Sequence, residues 1–455
     1  MYFKATQTLK GFSLALTGSA WQADPCEFRF PEHIWKKFPA KQALINELAY
    51  ICTLPTPLIL KYPTVEYDTG KPQYTDFYHH CFNQAIPNLV ESIPSEKADA
   101  TYHLFHSIQR KFHGDKIEDR LPARNDWNKK TVILPFSYGK DSLLSLATLR
   151  ELGFKVIPVF IDERVLPRGT AIKKQLKQRL KKQFDIHCHI VENELHLLCD
   201  YQVLKQPLTE LHRLHIYFVY LLAMIPFSYY YRVPLIIFNN EFHHNLVKLH
   251  KDGYLCPHRY MQTTDALKGY AKLVQNFSGN QMTVVNLIRV IDNFAIHRVL
   301  HERFPEFGSY QISCHMEMNK HKRWCHNCYR CARAFIFFLA IGIDPFDVGF
   351  EQSMMSEDKK KLFDLFDPKR LMKEDQYRHY MAIEEELAFL MALKRGESGP
   401  LMDVFKSSFQ SKKIDFQQQE RKLKERVFCL QTLPGTTDVE KKAAQFYKDF
   451  LKSSF

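Results

Sequence analysis

The sequence from Thr131 to Glu163, TVILPFSYGKDSLLSLATLRELGFKVIPVFIDE, contains two apolar runs separated by a polar hexapeptide and a periodic apolar segment. The first run, TVILPF, is short and almost wholly apolar, which is typical of a strand buried on both faces. SLLSLATLREL has apolar residues at helical spacing and is closed by Gly153, and KVIPVFI is a second apolar run. The stretch therefore predicts a strand, a helix and a strand, with the hexapeptide Ser137–Ser142 in the first turn.

The same alternation continues further along the chain. TAIKKQLKQRLKKQF, residues 170–184, predicts a basic amphipathic helix, and DIHCHIV, residues 185–191, predicts a third strand. After a long helical stretch, PLIIFNN at residues 234–240 predicts a fourth strand. Short apolar strands separated by helices indicate an α/β fold with a doubly wound parallel sheet, whose ligands bind at the carboxyl ends of the strands.

The regions on either side have different patterns. Residues 1–125 alternate apolar and polar stretches with many prolines and end in a charged segment, so we expect an N-terminal α+β domain there. Residues 126–345 would form the central domain. Charged, helix-like segments predict a helical C-terminal region over residues 346–455, with a structural or partner-binding role.

Composition narrows the class of protein. The net charge of +13 suits an anionic partner such as a nucleotide, nucleic acid, an acidic metabolite or anionic lipid, although solvated lysines alone also explain it. The apolar run Leu214–Phe238 is broken by Pro226, Arg232 and Pro234, so we expect a buried helix and strand and no membrane span. Eleven cysteines are too sparse for a disulfide scaffold, which favours the cytoplasm.

The hexapeptide has the chemistry of an anion site. Between a strand and a helix, its backbone N–H groups and the positive end of the helix dipole can converge on a phosphate. Gly139 allows close backbone approach, the hydroxyls of Ser137 and Ser142 can donate hydrogen bonds, and Lys140 adds positive charge. Asp141 would be unfavourable beside a phosphate unless it holds a magnesium ion or caps the backbone.

The segment is not a Walker A loop, because Asp141 follows Gly139-Lys140 and no glycine stands five residues before. It resembles the pyrophosphate loop, Ser-Gly-Gly-x-Asp-Ser, of the ATP pyrophosphatase superfamily, with Tyr138 where that family usually has its first glycine. The resemblance implies cleavage of ATP between the α and β phosphates, adenylation of a substrate oxygen and release of pyrophosphate. It also implies nucleotide contacts near Phe160–Asp162, although Asp162 could equally cap the following segment.

A cysteine cluster follows later in the chain. Cys314, Cys325, Cys328 and Cys331 have a spacing that suits a closed tetrahedral zinc site with a structural role. His315, His321 or His326 could replace Cys314, and an iron–sulfur cluster is an alternative.

The loop and the cluster together resemble two families. Over about Thr131–Arg333 the chain resembles the 7-cyano-7-deazaguanine synthases, which adenylate a deazaguanine carboxylate and carry zinc. Over more of its length it resembles the UDP-N-acetylmuramoyl-L-alanyl-L-glutamate epimerases, which combine an N-terminal domain with an ATP pyrophosphatase-like domain. The second resemblance depends on FNNEFHHN from Phe238, Ser313-Cys314, and Trp324 with the three following cysteines.

FNNEFHHN is the second polar element at a strand end. Its side chains would face the ligand crevice, where Asn240 would contact the ligand, Glu241 could hold magnesium, and His243 or His244 could move a proton. A polar turn capped by Asn239 and Asn240 explains the same residues without a site.

The sequence therefore predicts an adenylating enzyme, an epimerase or a ligase, with Lys140, Asp141 and Glu241 as catalytic residues and ATP, magnesium and zinc as cofactors. Two other classes stay open. One is a tRNA-modifying member of the same superfamily, for which the basic helix would bind nucleic acid through its lysine and arginine side chains, Lys173, Lys174, Lys177, Arg179, Lys181 and Lys182. The other is a non-enzymatic nucleotide-binding module in which Tyr138 has spoiled the loop.

Overall fold

The structure is a computed structural model. It describes the chain over residues 1–17, 23–91, 96–115, 120–163, 167–206, 211, 214–314, 323–367, 375–411, 415–430 and 437–452.

Twelve strands form within these residues. They are β1 (Tyr2–Thr8), β2 (Gly11–Thr17), β3 (Ala23–Arg29), β4 (Thr64–Tyr67), β5 (Gln109–Phe112), β6 (Thr131–Pro135), β7 (Lys155–Asp162), β8 (His189–Asn193), β9 (Leu235–Phe238), β10 (Val247–Leu249), β11 (Leu255–Pro257) and β12 (Thr283–Asn286). β10 and β11 form a small antiparallel hairpin, and the other ten strands form one sheet.

The sheet has a parallel part and a mixed part. Its order is β12-β9-β6-β7-β8-β3-β2-β1-β4-β5, and the first five of these strands are mutually parallel. β6 lies at their centre with later strands added on both sides, which is the order of a doubly wound sheet and places a ligand crevice at the carboxyl end of β6. The predicted α/β class with a largely parallel central sheet is confirmed. The N-terminal strands join it through the antiparallel pair β3 and β8.

Sixteen α-helices surround the sheet within the same described ranges. They are α1 (Glu32–Lys37), α2 (Lys41–Thr53), α3 (Thr56–Ile59), α4 (Thr75–Val90), α5 (Ala98–Ser107), α6 (Lys140–Glu151), α7 (Pro167–Phe184), α8 (Ile216–Tyr231), α9 (Thr264–Phe277), α10 (Asn293–Arg298), α11 (Pro305–Gly308), α12 (Tyr329–Ile341), α13 (Gln376–Lys394), α14 (Pro400–Ser411), α15 (Phe416–Val427) and α16 (Asp438–Lys452). The predicted helical character of the C-terminal region corresponds to α13–α16.

The apolar run of β6 is buried because both faces of the sheet are covered. Ile133 packs into a core with the N-terminal strands and α8, whereas Val132 and Leu134 pack into a second core with α6, α12 and the C-terminal helices. The predicted third strand begins later than expected, at His189, because Asp185 has a left-handed backbone (φ 54°) that ends α7. Within the described residues, no helix has the length and apolarity to cross a membrane.

Candidate active site at the end of the central strand

The predicted hexapeptide forms the turn from β6 into α6. Tyr138 has a left-handed backbone, with φ of 62°, a conformation that glycine adopts more readily than other residues. Its ring is 1% exposed and contacts Phe136 and Phe160. A left-handed backbone costs a residue other than glycine roughly 1 kcal/mol, and the burial of the Tyr138 ring offsets this cost.

The polar groups of the turn are oriented toward the start of α6. The backbone N–H of Gly139 donates to the Ser137 hydroxyl at 3.3 Å, and the Ser142 hydroxyl donates to the Gly139 carbonyl at 3.1 Å. Among the described side chains, none caps the N-terminus of α6. The N–H groups of its first turn and the helix dipole are thus available to an anion.

Lys140 joins this turn to the end of β9. Its Nζ lies 2.6 Å from Asp141 Oδ1 and 2.5 Å from Glu241 Oε1. Burial alone would lower the pKa of Lys140, but the charges of Asp141 and Glu241 outweigh it, and the pKa is raised. Burial raises the pKa of Asp141 to about 6. The three predicted catalytic residues therefore lie together, with Lys140 cationic at neutral pH.

The segment after β9 is fixed by the neighbouring strand β12. Asn286 donates from Nδ2 to the Asn240 carbonyl at 2.8 Å and accepts from the Asn240 N–H at 3.3 Å. Asn239 donates to the carbonyl of Pro135 at 3.3 Å. The side-chain nitrogen of Asn240 is buried and has no hydrogen-bond partner in the described parts of the chain. These bonds position Asn240 and Glu241 at the carboxyl end of β6.

His243 and His244 follow Glu241 and are covered by the C-terminal region. The rings of His243 and Tyr377 have centroids 5.2 Å apart, and Tyr377 stacks on His258 at 3.9 Å. Burial lowers the pKa of both His243 and His244 well below the usual range, with Lys140 a further cause for His243. Tyr377 belongs to α13, so the C-terminal helices contribute directly to this site.

One residue of the site, Arg259, had no motif in the sequence that could have identified it. Arg259 follows the β10–β11 hairpin and donates a hydrogen bond to the Tyr217 hydroxyl. Its charge also acts on His243 and His244, which places it beside the loop. Within the described residues, Arg259 makes no ion pair with a carboxylate, and its neighbours include the hydroxyls of Tyr217 and Tyr377. A distant arginine can be assigned to a site only when the sheet topology is known.

The other side of the loop is formed by β7. Asp162, its last residue, is 3% exposed and pairs in register with Glu192 of β8. Lys173 of α7 lies over the Phe160 ring, 4.8 Å from its centroid. The resemblance implies that the nucleoside binds on this β7 side of the loop, where the Phe160 ring and the Lys173 ammonium lie. His243 and His244 follow β9, on the other side of β6.

The rest of the basic helix shows the pattern of an amphipathic surface helix. Leu176 and Leu180 of α7 are buried, while Lys174, Arg179 and Lys181 are exposed.

The four predicted cysteines form one group. Their sulfur atoms all lie within 4.8 Å of one another, with Cys328–Cys331 at 3.5 Å and Cys325–Cys331 at 3.7 Å. Sulfurs at about 2.3 Å from a tetrahedral zinc would be about 3.8 Å apart. The pKa of Cys328 is raised to about 12, mainly by a hydrogen bond with the Cys314 thiol. Without a cation between them, these neighbouring sulfurs therefore stay protonated. The donor set therefore fits a metal ion such as zinc.

The histidine alternatives for this group are resolved in part. The Nε2 of His326 accepts the backbone N–H of Glu351 at 3.0 Å, and His326 is not a member of the group. His315 and His321 lie outside the described residues. Cys314 is the fourth member, as the sequence predicted.

The cysteine group and the loop are physically connected. The backbone N–H of Ile312, two residues before Cys314, donates to the Tyr138 carbonyl at 2.8 Å. Gln311 bonds the Ser313 hydroxyl and contacts the rings of His297 and His301. The segment that leads into the cysteines therefore supports the turn that would hold phosphate.

Comparison of the sequence with protein-family models and with curated proteins finds no match to either.

Proposed function

We propose that this protein binds magnesium ATP on the loop Ser137–Ser142 and transfers AMP to a carboxylate of a small substrate, releasing pyrophosphate. The observation that carries the proposal is the uncapped start of α6 at the end of the central parallel strand, with buried Lys140 beside it. Backbone N–H groups and a fixed cation at one point suit the negative charge that builds up on a phosphate during transfer.

Each group of the loop has a role in this reaction. Lys140, kept cationic by Asp141 and Glu241, stabilises charge on the phosphates. Asp141 is partly exposed at the mouth of the loop, and its carboxylate suits magnesium, which prefers oxygen ligands. When bound there, magnesium would neutralise the phosphate charge. The Ser137 hydroxyl accepts from the Gly139 N–H and can donate its own proton to a phosphate oxygen, whereas the Ser142 hydroxyl would exchange its bond to the Gly139 carbonyl for one to phosphate.

The acceptor carboxylate is assigned to the β9 side of the loop. Arg259 is partly exposed and lacks a carboxylate partner within the described residues, so it can bind one from a ligand. The Tyr217 hydroxyl interacts with the charges of both Arg259 and Asp141, so it would orient the acceptor carboxylate toward the loop. Because the aromatic wall of Phe160 lies on the β7 side, the nucleoside and the acceptor would approach the loop from opposite sides.

The resemblance to the muramoyl-dipeptide epimerases suggests the acceptor. Both elements that carry it, Asn239–Glu241 and the cysteine segment, contact the loop or its flanking strand. Adenylation of the terminal glutamate would make its carboxylate oxygen a good leaving group and acidify the adjacent C–H. A base could then remove that proton and return it on the other face before the adenylate is hydrolysed.

The test is the identity of the nucleotide products. Purified protein is incubated with magnesium ATP alone, and with a panel of carboxylates that includes the muramoyl dipeptide and carboxy-deazaguanine. We expect AMP and pyrophosphate, stimulated by the dipeptide and lost in Asp141→Asn, while Asp185→Asn, an exposed control, retains them. Stimulation by carboxy-deazaguanine with ammonia would reassign the acceptor. ADP, or no turnover with any acceptor, would contradict adenylation.

A further inference from the structure

Three side chains at the end of β9 direct potential metal ligands at one another. One ligand atom from each of Glu241, His243 and His244 lies within 4.8 Å of the others. The three residues are 7%, 3% and 7% exposed. They belong to one short segment, in which a 3₁₀ turn over Phe242–Asn245 brings the two imidazoles back toward the carboxylate.

Each of the three residues also has a potential ligand atom whose hydrogen-bonding capacity is unused. Glu241 Oε2, His243 Nδ1 and His244 Nδ1 are buried, and none makes a hydrogen bond in the described parts of the protein, although the first two lie within ion-pair distance of each other. A buried polar atom without a partner costs about 1–3 kcal/mol, so three together need an explanation. A shared ligand would satisfy all three at once.

The spacing of the atoms fits a common metal ion. His243 Nδ1 and Glu241 Oε2 are 3.2 Å apart. Two ligands at about 2.0–2.1 Å from a tetrahedral ion would be separated by about 3.3 Å. Lys140 occupies only the other carboxylate oxygen, Oε1, and so leaves Oε2 to face the imidazoles.

The surrounding charges keep the two histidines neutral, the form in which imidazole binds a metal ion. Lys140 and Arg259 already place positive charge beside the rings, which opposes an imidazolium pair. The buried carboxyls of Asp292 and Glu384 interact with Glu241, and burial raises the pKa of both, to about 7 for Asp292. Two neutral imidazoles and one carboxylate are a ligand set for a divalent ion.

We propose that Glu241, His243 and His244 bind a divalent transition-metal ion, zinc or a first-row neighbour such as manganese, iron(II) or cobalt, at a site separate from the four cysteines. Two imidazoles make magnesium a poor occupant, because magnesium prefers oxygen ligands. Three protein ligands leave coordination positions for water or an oxygen of the acceptor, unlike a closed four-cysteine site. The proposal concerns metal content and holds whether or not the protein adenylates a substrate.

The test is the number of metal ions per chain. Full-length protein is equilibrated with zinc, freed of excess by gel filtration, and analysed by inductively coupled plasma mass spectrometry. We expect two zinc ions in the wild type and one in His243→Gln/His244→Gln. His258→Gln, which changes a neighbouring histidine outside the trio, should retain two. One ion in the wild type, or two in the double variant, would overturn the proposal.

Cobalt(II) spectra provide a second readout that does not depend on the histidine variants folding well. Thiolate ligands give cobalt intense charge-transfer absorption, whereas imidazole and carboxylate ligands do not. In the wild type, we expect a second equivalent of cobalt to bind after the thiolate absorption is complete, adding only weak visible bands. Saturation of the whole spectrum at one equivalent would count against a second site.

Discussion

The two candidate sites of this protein are built in opposite ways. The four cysteines lie in one stretch of chain, from Cys314 to Cys331, and their sulfurs converge locally. The loop site draws Lys140 and Glu241 from positions 101 residues apart, and it is completed by Arg259 and Tyr377 from still later segments. A local cluster needs only a short folded segment, whereas the loop site exists only when the whole parallel sheet has formed.

The two sites also differ in how much hydrogen-bonding or ligand capacity their polar groups have left. A four-sulfur set is closed once a metal binds, so its ligands have no capacity left for a substrate. The loop site keeps an uncapped helix terminus, an arginine that makes no ion pair with a carboxylate among the described residues, and buried atoms without hydrogen bonds. We therefore expect changes at the cysteines to act mainly on stability, and changes at the loop to act mainly on binding and turnover.

Removing one cysteine of the group should have the largest effect on stability. In Cys328→Ser we expect one fewer metal ion per chain and a free energy of unfolding lower by about 4 kcal/mol or more, because metal binding is coupled to folding. Urea unfolding in the presence of zinc measures the change. Cys429→Ser, at an exposed cysteine outside the group, is the control and should match the wild type. Unchanged metal content in Cys328→Ser would contradict the assignment.

Replacing the central lysine separates turnover from folding. Lys140→Met leaves Asp141 and Glu241 without their shared cation, so we expect a loss of roughly 3 kcal/mol of stability and at least about 100-fold in ATP turnover. Lys182→Met, on the exposed face of α7, should change neither. If Lys140→Met turned over ATP at the wild-type rate, the loop would not be the catalytic centre.

The arginine tests whether the acceptor lies on the β9 side. Arg259→Met removes a charged hydrogen-bond donor, worth about 1.5–3 kcal/mol, so the KM for the acceptor should rise about 10- to 100-fold. The Kd of magnesium ATP, measured by calorimetry without acceptor, should stay within about threefold. Arg421→Met, at a solvent-exposed arginine, is the control. An equal loss of ATP affinity would instead place Arg259 on the phosphates.

A buried carboxyl outside both sites, Glu47, shows how a buried group behaves when its hydrogen bonds are made, and its variant should leave ATP turnover unchanged. Glu47 accepts hydrogen bonds from the Tyr78 hydroxyl at 2.6 Å and the Gln73 N–H at 2.7 Å, yet burial raises its pKa to about 7. The folded state thus binds its proton more tightly, so stability should fall as the pH rises from about 4.5 to 7 and then level off.

In Glu47→Gln this part of the pH dependence should disappear. The difference from the wild type in free energy of unfolding should reach about 3 kcal/mol across that pH range. Urea unfolding measured at several pH values gives the difference directly. A difference that does not change with pH would show that Glu47 is ionised in the folded state throughout.

The sequence predicted what depends on short-range pattern. The apolar run of β6, the helical spacing after it and the cysteine spacing each correspond to a local structure that forms as expected. Asn240 and Glu241 could be predicted at a ligand crevice because they follow an apolar strand. The partners of Glu241 could not, since Tyr377 is contributed by a C-terminal helix and Arg259 follows a hairpin with no characteristic motif. The left-handed backbone of Tyr138 could not be predicted either, because the burial of its ring, which offsets the conformational cost, occurs only in the folded core.

The most direct test of adenylation is the fate of the acceptor oxygen. The acceptor is labelled with ¹⁸O in its reacting carboxylate and incubated with the protein and magnesium ATP, and the nucleotide is analysed by mass spectrometry. If the carboxylate attacks the α-phosphate and the adenylate is later cleaved at its carbonyl carbon, each AMP should carry one ¹⁸O. Formation of ADP with the label in inorganic phosphate, or unlabelled AMP at the same rate of formation, would contradict the mechanism.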